Sequence, residues 1–117
     1  MTVTVEDMAR TWQRRSQARQ ARADARAQRL RELLPRARGV LVDVHGARAV
    51  KVFGSLAEGG FTESSDVDLA VEGLDESCYF AALADVMALF GAPVDLIRVE
   101  DVTGSLEERI AAEGQPL

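Results

Sequence analysis

The chain has 117 residues, 47% of them hydrophobic and 28% charged, which fits one small globular domain and leaves no room for two comfortable ones. One cysteine, Cys78, cannot form an internal disulfide, and with one histidine, His45, it cannot complete a four-ligand zinc site. The net charge of −5 hides an asymmetry: residues 1–51 carry a net +7 and residues 52–117 a net −12.

The first ten residues, MTVTVEDMAR, lack a basic segment followed by an apolar run, so no secretory leader is expected. No apolar stretch approaches the roughly 20 residues that cross a bilayer. With the single cysteine, this places the chain in a reducing, cytoplasmic setting.

Residues 6–34 contain neither Gly nor Pro and are rich in Ala, Arg, Gln and Leu. They predict one long, largely exposed helix with a thin apolar stripe: Met8, Trp12, alanines, then Leu30, Leu33 and Leu34. We take residues 1–34 as an Arg-rich helical arm and 35–117 as a single globular domain. Pro35 either starts a new helix or kinks a continuous one. Leu34, Ala37, Leu41 and Val44 keep helical spacing, so a buried helix should run to about His45 and stop at Gly46.

Residues 49–53, AVKVF, predict a strand ending at Gly54, and residues 67–71, VDLAV, a second with strict alternation. Residues 75–90 read as an amphipathic helix capped by Asp75 or Ser77, with Phe80, Leu83, Val86, Met87 and Phe90 inward. Residues 93–99 predict a third strand, and 105–113 a last helix ended by Gly114. This order predicts an α/β or α+β domain: a small sheet covered by helices, with the long helix at its N-terminus.

The chemistry concentrates in residues 53–70, FGSLAEGGFTESSDVDLA. In a strand, residues i and i+2 share a face, about 6.5–7 Å apart, so Asp66 and Asp68 point the same way. Asp95, in the third predicted strand, joins them if that strand lies beside the second. Three carboxylates on one sheet repel one another, and Mg²⁺ between them relieves this. Magnesium takes oxygen ligands and is commonly held by one or two carboxylates plus substrate phosphates. Gly54 lets the backbone approach closely, and N–H groups after Ser55 can hold phosphate oxygens. A carboxylate–metal cluster beside a phosphate cradle is equipment for two-metal nucleotidyl transfer.

A hydrophobic strand, Gly-Ser, a ten-residue spacer, Asp-x-Asp and a later Asp together resemble the signature of DNA polymerase β-type nucleotidyltransferases, and the spacing is similar to that of the minimal nucleotidyltransferases, or MNT proteins. The resemblance covers roughly residues 30–117. The Arg-rich first helix and the ending SLEERIAAEG also look like those of MNT antitoxins. The resemblance implies a small mixed sheet covered by helices. It implies Asp66 and Asp68 as ligands of two Mg²⁺ ions, and Asp95 as the third catalytic carboxylate, which activates the acceptor hydroxyl. It implies Gly54, Ser55 and Ser65 as nucleotide-binding residues and ATP as substrate. It also implies a partner: a HEPN-domain toxin whose hydroxyl, a tyrosine in that family, receives AMP, making this chain the antitoxin of a type VII pair.

One departure stands out. Many members carry a basic residue shortly after Gly-Ser, where this chain has Leu56, Ala57 and Glu58, and no basic residue lies between Lys51 and Arg98. Glu58 would repel a triphosphate unless arginines from elsewhere compensate. It also keeps open an alternative, a non-catalytic module that masks its partner sterically. Transfer to a small molecule ranks last, because the chain lacks length for an acceptor pocket. The Arg run from Arg10 to Arg38 lacks interleaved aromatics, so a solvated or acid-facing helix is favoured over direct nucleic-acid binding.

Overall fold

A computed structural model describes residues 2–117. Helix α1 spans Val5–Gly39 and passes without a break into a π-helical turn, Val40–Val44. Its start is fixed by a capping box: Thr4 Oγ1 accepts from Asp7 N at 3.1 Å, and Thr4 N donates to Asp7 Oδ2 at 3.3 Å. Residue 34, the expected end of the arm, lies inside this helix, whose buried face begins at Ala23 and continues through Ala27, Leu30, Leu34 and Ala37. The first turns project freely, giving extents of 65 × 30 × 19 Å. Trp12 is 65% exposed there, with the Arg19 guanidinium 5.3 Å from its ring centre.

Pro35 does not end the helix. It lies on the exposed side, where water can serve the carbonyl that its missing N–H leaves free. The π turn corrects the expectation for Val44. The wider turn carries this residue past the buried face, and it is largely exposed while Leu41 is fully buried.

Four strands follow: β1 Ala49–Phe53, β2 Val67–Glu72, β3 Val94–Arg98 and β4 Gln115–Pro116. They form a mixed sheet in the order β3-β2-β1-β4. Strands β1 and β2 are antiparallel, with Phe53 opposite Asp68, and β2 and β3 are parallel, with Asp68 opposite Asp95. The expected small sheet under helices and the long first helix are both present. The two-residue β4 was not expected. It pairs antiparallel with β1, with Lys51 opposite Pro116.

Between the strands lie α2 (Ser55–Glu58), a single turn; α3 (Tyr79–Phe90), preceded by a 3₁₀ turn; and α4 (Ser105–Glu113). Asp75 caps the 3₁₀ turn by accepting from Ser77 N at 2.9 Å. The apolar stripe of α3 corrects our expectation. Phe80 is 80% exposed and Met87 is exposed too, while Ala82, Val86 and Phe90 are buried and Leu83 half-buried. Because α-helical geometry starts only at Tyr79, the inward stripe runs from Tyr79 through Ala82 and Val86. The Tyr79 hydroxyl donates to Leu96 O at 2.6 Å, which ties α3 to β3.

The alternation of β2 divides the core. Val67, Leu69 and Val71 join Val50, Val52 and Leu96 under α1 and α3. The opposite face carries Ala70, which packs with Phe53 and Ile110 of α4. No helix among the described residues is long and apolar enough to cross a membrane.

Candidate active site

The carboxylates stand on the sheet face that α4 covers only in part. Asp68 is half-buried in β2, Asp95 is exposed in β3, and the parallel register sets them side by side on adjacent strands. Asp66 immediately precedes β2 and is exposed; the i, i+2 rule directs it to the same face. The Asp68 carboxyl is held above the ordinary aspartate range by its burial, then by the charge of Asp95, then by that of Asp66, with Arg109 pulling the other way. So Asp68 lies within the field of the other two predicted carboxylates.

Gly54 and Ser55 complete one edge. Gly54 is buried with φ +69°, a conformation that side-chain-bearing residues rarely adopt. Its backbone lies directly against the Asp68 carboxylate. Ser55 opens α2, and Ala57 N and Glu58 N donate back to Gly54 O at 3.1 and 3.0 Å. Ser65 has internal partners: its Oγ accepts from Thr62 N at 2.9 Å, and its N donates to Thr62 O at 3.3 Å. The polar run TESS thus folds into a turn that delivers the chain to Asp66.

The arginines of α1 hold that segment in place. Arg26 Nη1 donates to Ser65 O at 2.8 Å and stacks over Phe61, Arg31 Nε donates to Leu56 O at 3.0 Å, and Arg22 pairs with Glu63 at 2.5 Å. Arg22 and Arg26 therefore brace the loop between α2 and β2, and Arg31 braces α2. His45, read as a helix-end residue, caps the π turn and bonds Asp85 at 2.7 Å.

Sequence reasoning missed Arg109. It sits on α4, with Nε 3.0 Å from Glu113 Oε2 and Nη2 3.9 Å from Glu58 Oε2. The close approach of Glu58 and Glu113 holds the Glu58 carboxyl above its ordinary range and Glu113 below it. In sequence the only signal was an isolated Arg among glutamates; its place depends on how α4 docks.

Among the described residues, no three His, Cys, Asp or Glu side chains are drawn into a ready-made metal nest. The donors still suit a hard divalent cation: they are all carboxylate oxygens, Asp68 and Asp95 side by side on adjacent strands, and burial together with their charges raises the proton affinity of Asp68. Magnesium needs only one or two such carboxylates, the rest of its shell being water and substrate oxygens. A shallow cleft of about 420 Å³ adjoins Asp95 and is lined by Tyr79, Phe80 and Asp101 among others. A wider groove, about 650 Å³, lies between α1 and the Phe61–Ser64 segment, away from the β-strand carboxylates.

The family described as polymerase beta, nucleotidyltransferase, matches residues 39–117, from the end of α1 through all four strands. A solved structure described as a minimal nucleotidyltransferase is similar with a TM-score of 0.64 and 33% identity, covering 75% of this chain and 95% of the other. A toxin–antitoxin structure with AMP-PNP gives 0.58 at 21% identity over 65% of each chain. A tri-AMPylated Shewanella oneidensis HEPN toxin in complex with an MNT antitoxin gives 0.54 at 17% identity, over 78% of this chain and 70% of that one. The last two likenesses concern the fold alone, and the match spans just under two thirds of the AMP-PNP-bound chain. No curated protein matches the sequence.

Proposed function

The chain belongs to the polymerase β nucleotidyltransferase family, and from that premise we propose that it transfers AMP from ATP to a hydroxyl on a HEPN-type toxin, as the antitoxin of a type VII pair. The observation that carries this reading is the register that sets Asp68 beside Asp95, with Gly54 packed on Asp68. The neighbours in which an MNT antitoxin meets an AMPylated HEPN toxin, and in which AMP-PNP is bound, support the choice of partner and nucleotide.

In this reading the backbone N–H groups that follow Gly54 hold the triphosphate, and Ser55 adds its hydroxyl. Ser65 acts through the turn that sets Asp66. Asp66, Asp68 and Asp95 are the residues that would hold two magnesium ions. When bound, the metal supplies Lewis-acid activation of the acceptor hydroxyl and neutralises charge on the departing pyrophosphate. Asp95 orients the hydroxyl and takes its proton. The acceptor oxygen bonds to the α-phosphorus, the bond from that phosphorus to the β-phosphate bridge breaks, and pyrophosphate leaves. The first turns of α1, before the buried face begins at Ala23, are free for contact with a partner, and residues 35–117 carry the chemistry.

The test is the intact mass of a HEPN-type toxin co-expressed with this chain, after incubation with ATP and Mg²⁺. One or more AMP-sized increments, absent with Asp66→Asn/Asp68→Asn, support the transferase. A stable complex in which the toxin is silenced without any increment would favour steric masking instead.

A further inference from the structure

We propose that Arg109 is the cation that receives the polyphosphate of the nucleotide, and that Glu58 and Glu113 hold it in reserve as a carboxylate latch. This rests on the nucleotidyltransferase reading above and names the residue that makes a triphosphate acceptable to an acidic site.

The need is electrostatic. A nucleoside triphosphate approaching Asp66, Asp68 and Asp95 meets like charge, so the protein must provide a compensating cation. Most nearby cations are committed. Arg98 spends Nη1 on both oxygens of Asp101, at 2.7 and 2.8 Å, and Nε on Leu74 O. Arg22 and Arg26 brace the α2–β2 loop, and Arg31 bonds Leu56 O of α2. Lys51 stands further along β1, opposite Ala70, with its stem against Gly114. Arg109 stands beside α2, with Nη2 3.9 Å from Glu58 Oε2.

Its position suits the role. Ile110, its neighbour on α4, packs on Phe53 and Ala70 of the carboxylate-bearing face. Beyond α4, Gln115 Nε2 donates to Ala57 O at 3.2 Å, which ties this end of the chain to the turn opened by Gly54 and Ser55. Arg109 is half exposed, so its head can swing without unpacking the core. The contact to Glu58 is long, 3.9 Å, and an exposed pair of that length is weak. A phosphate offers the same guanidinium two short, charge-assisted bonds. Once Arg109 leaves, Glu58 and Glu113 remain exposed, so water can solvate their carboxylates.

The latch predicts opposite signs for two neighbouring residues. A fluorescent ATP analogue and the matching AMP analogue are titrated into wild type, Arg109→Gln, Arg109→Lys and Glu58→Gln, in EDTA and again with Mg²⁺, alongside thermal melts. Arg109→Gln should weaken ATP binding about tenfold and leave AMP binding nearly unchanged, with Arg109→Lys between. Glu58→Gln should tighten ATP binding several-fold by removing a competitor. If Arg109→Gln binds ATP like wild type, weakens ATP and AMP equally, or is matched in direction by Glu58→Gln, the latch is wrong. Wild-type protein that binds no ATP under either condition overturns the nucleotidyltransferase reading itself.

Discussion

Asp68 lies so close to Gly54 that a methyl group at Gly54 would overlap Asp68 Oδ2 and stand 3.0 Å from its Cγ. The glycine therefore serves two needs at once: a backbone turn at φ +69° and space for a carboxylate. Gly54→Ala should cost about 1–3 kcal/mol from the backbone conformation alone and push Asp68 out of register with Asp95. Chemical denaturation should show the loss, and binding of an ATP analogue should be abolished even where the variant still folds.

Asp68 gives a pH prediction. Its carboxyl titrates above the ordinary aspartate value, first because of burial and then because of Asp95 and Asp66. The folded state thus holds this proton more tightly than the unfolded chain does. The resulting stability is present in acid and is lost as pH rises through the folded pKa. At neutral pH in EDTA, Asp68→Asn should be more stable than wild type, with a higher melting temperature. The gap should close as pH falls below the folded pKa of Asp68. Added Mg²⁺ should raise the melting temperature of wild type and not of the variant.

Two substitutions separate the core from the face that sequence reasoning confused with it. Leu69 is fully buried between β-strand neighbours and helices, and Phe80 is 80% exposed. Leu69→Ala should cost about 2–5 kcal/mol, and Phe80→Ala less than about 0.5 kcal/mol. Urea titrations of both variants check the pair, and a large loss for Phe80→Ala would contradict the observed phase of α3.

Pro35 sits inside a continuous helix, on its exposed side. Pro35→Ala should restore one backbone donor and stabilise the protein by about 1–3 kcal/mol, even after the proline's restriction of the unfolded chain is lost. A lower melting temperature for Pro35→Ala would mean that the proline ring, and not only the apolar stripe, helps to seat α1 on the sheet.

The strands were legible because period-two alternation survives in five residues: Val67, Leu69 and Val71 face one way, Asp68 and Ala70 the other. Gly54 could be read as a stop, and Ser105 and Gly114 bounded α4 correctly. What failed was phase and long-range docking. A 3₁₀ turn at Glu76–Cys78 displaced the apolar stripe of α3, and a π turn rotated Val44 outward. Strand β4 has no pattern of its own, since Gln115 and Pro116 are strand only because β1 offers an edge. Arg109 and Glu58 lie 51 positions apart and meet only once α4 has docked. The second half of the Arg run was legible as acid-facing in part: Arg22 meets Glu63, while Arg26, Arg31 and Arg38 bond backbone carbonyls.

The central claim is that this site moves a nucleotidyl group. The most direct test is label transfer to a HEPN-type toxin co-expressed with this chain, from ATP labelled either at the α- or at the γ-phosphate, with Mg²⁺. The account predicts that α-label reaches the toxin, γ-label does not, and Asp66→Asn/Asp68→Asn transfers neither. Transfer of γ-label, or α-label transfer that persists in the double variant, would contradict it.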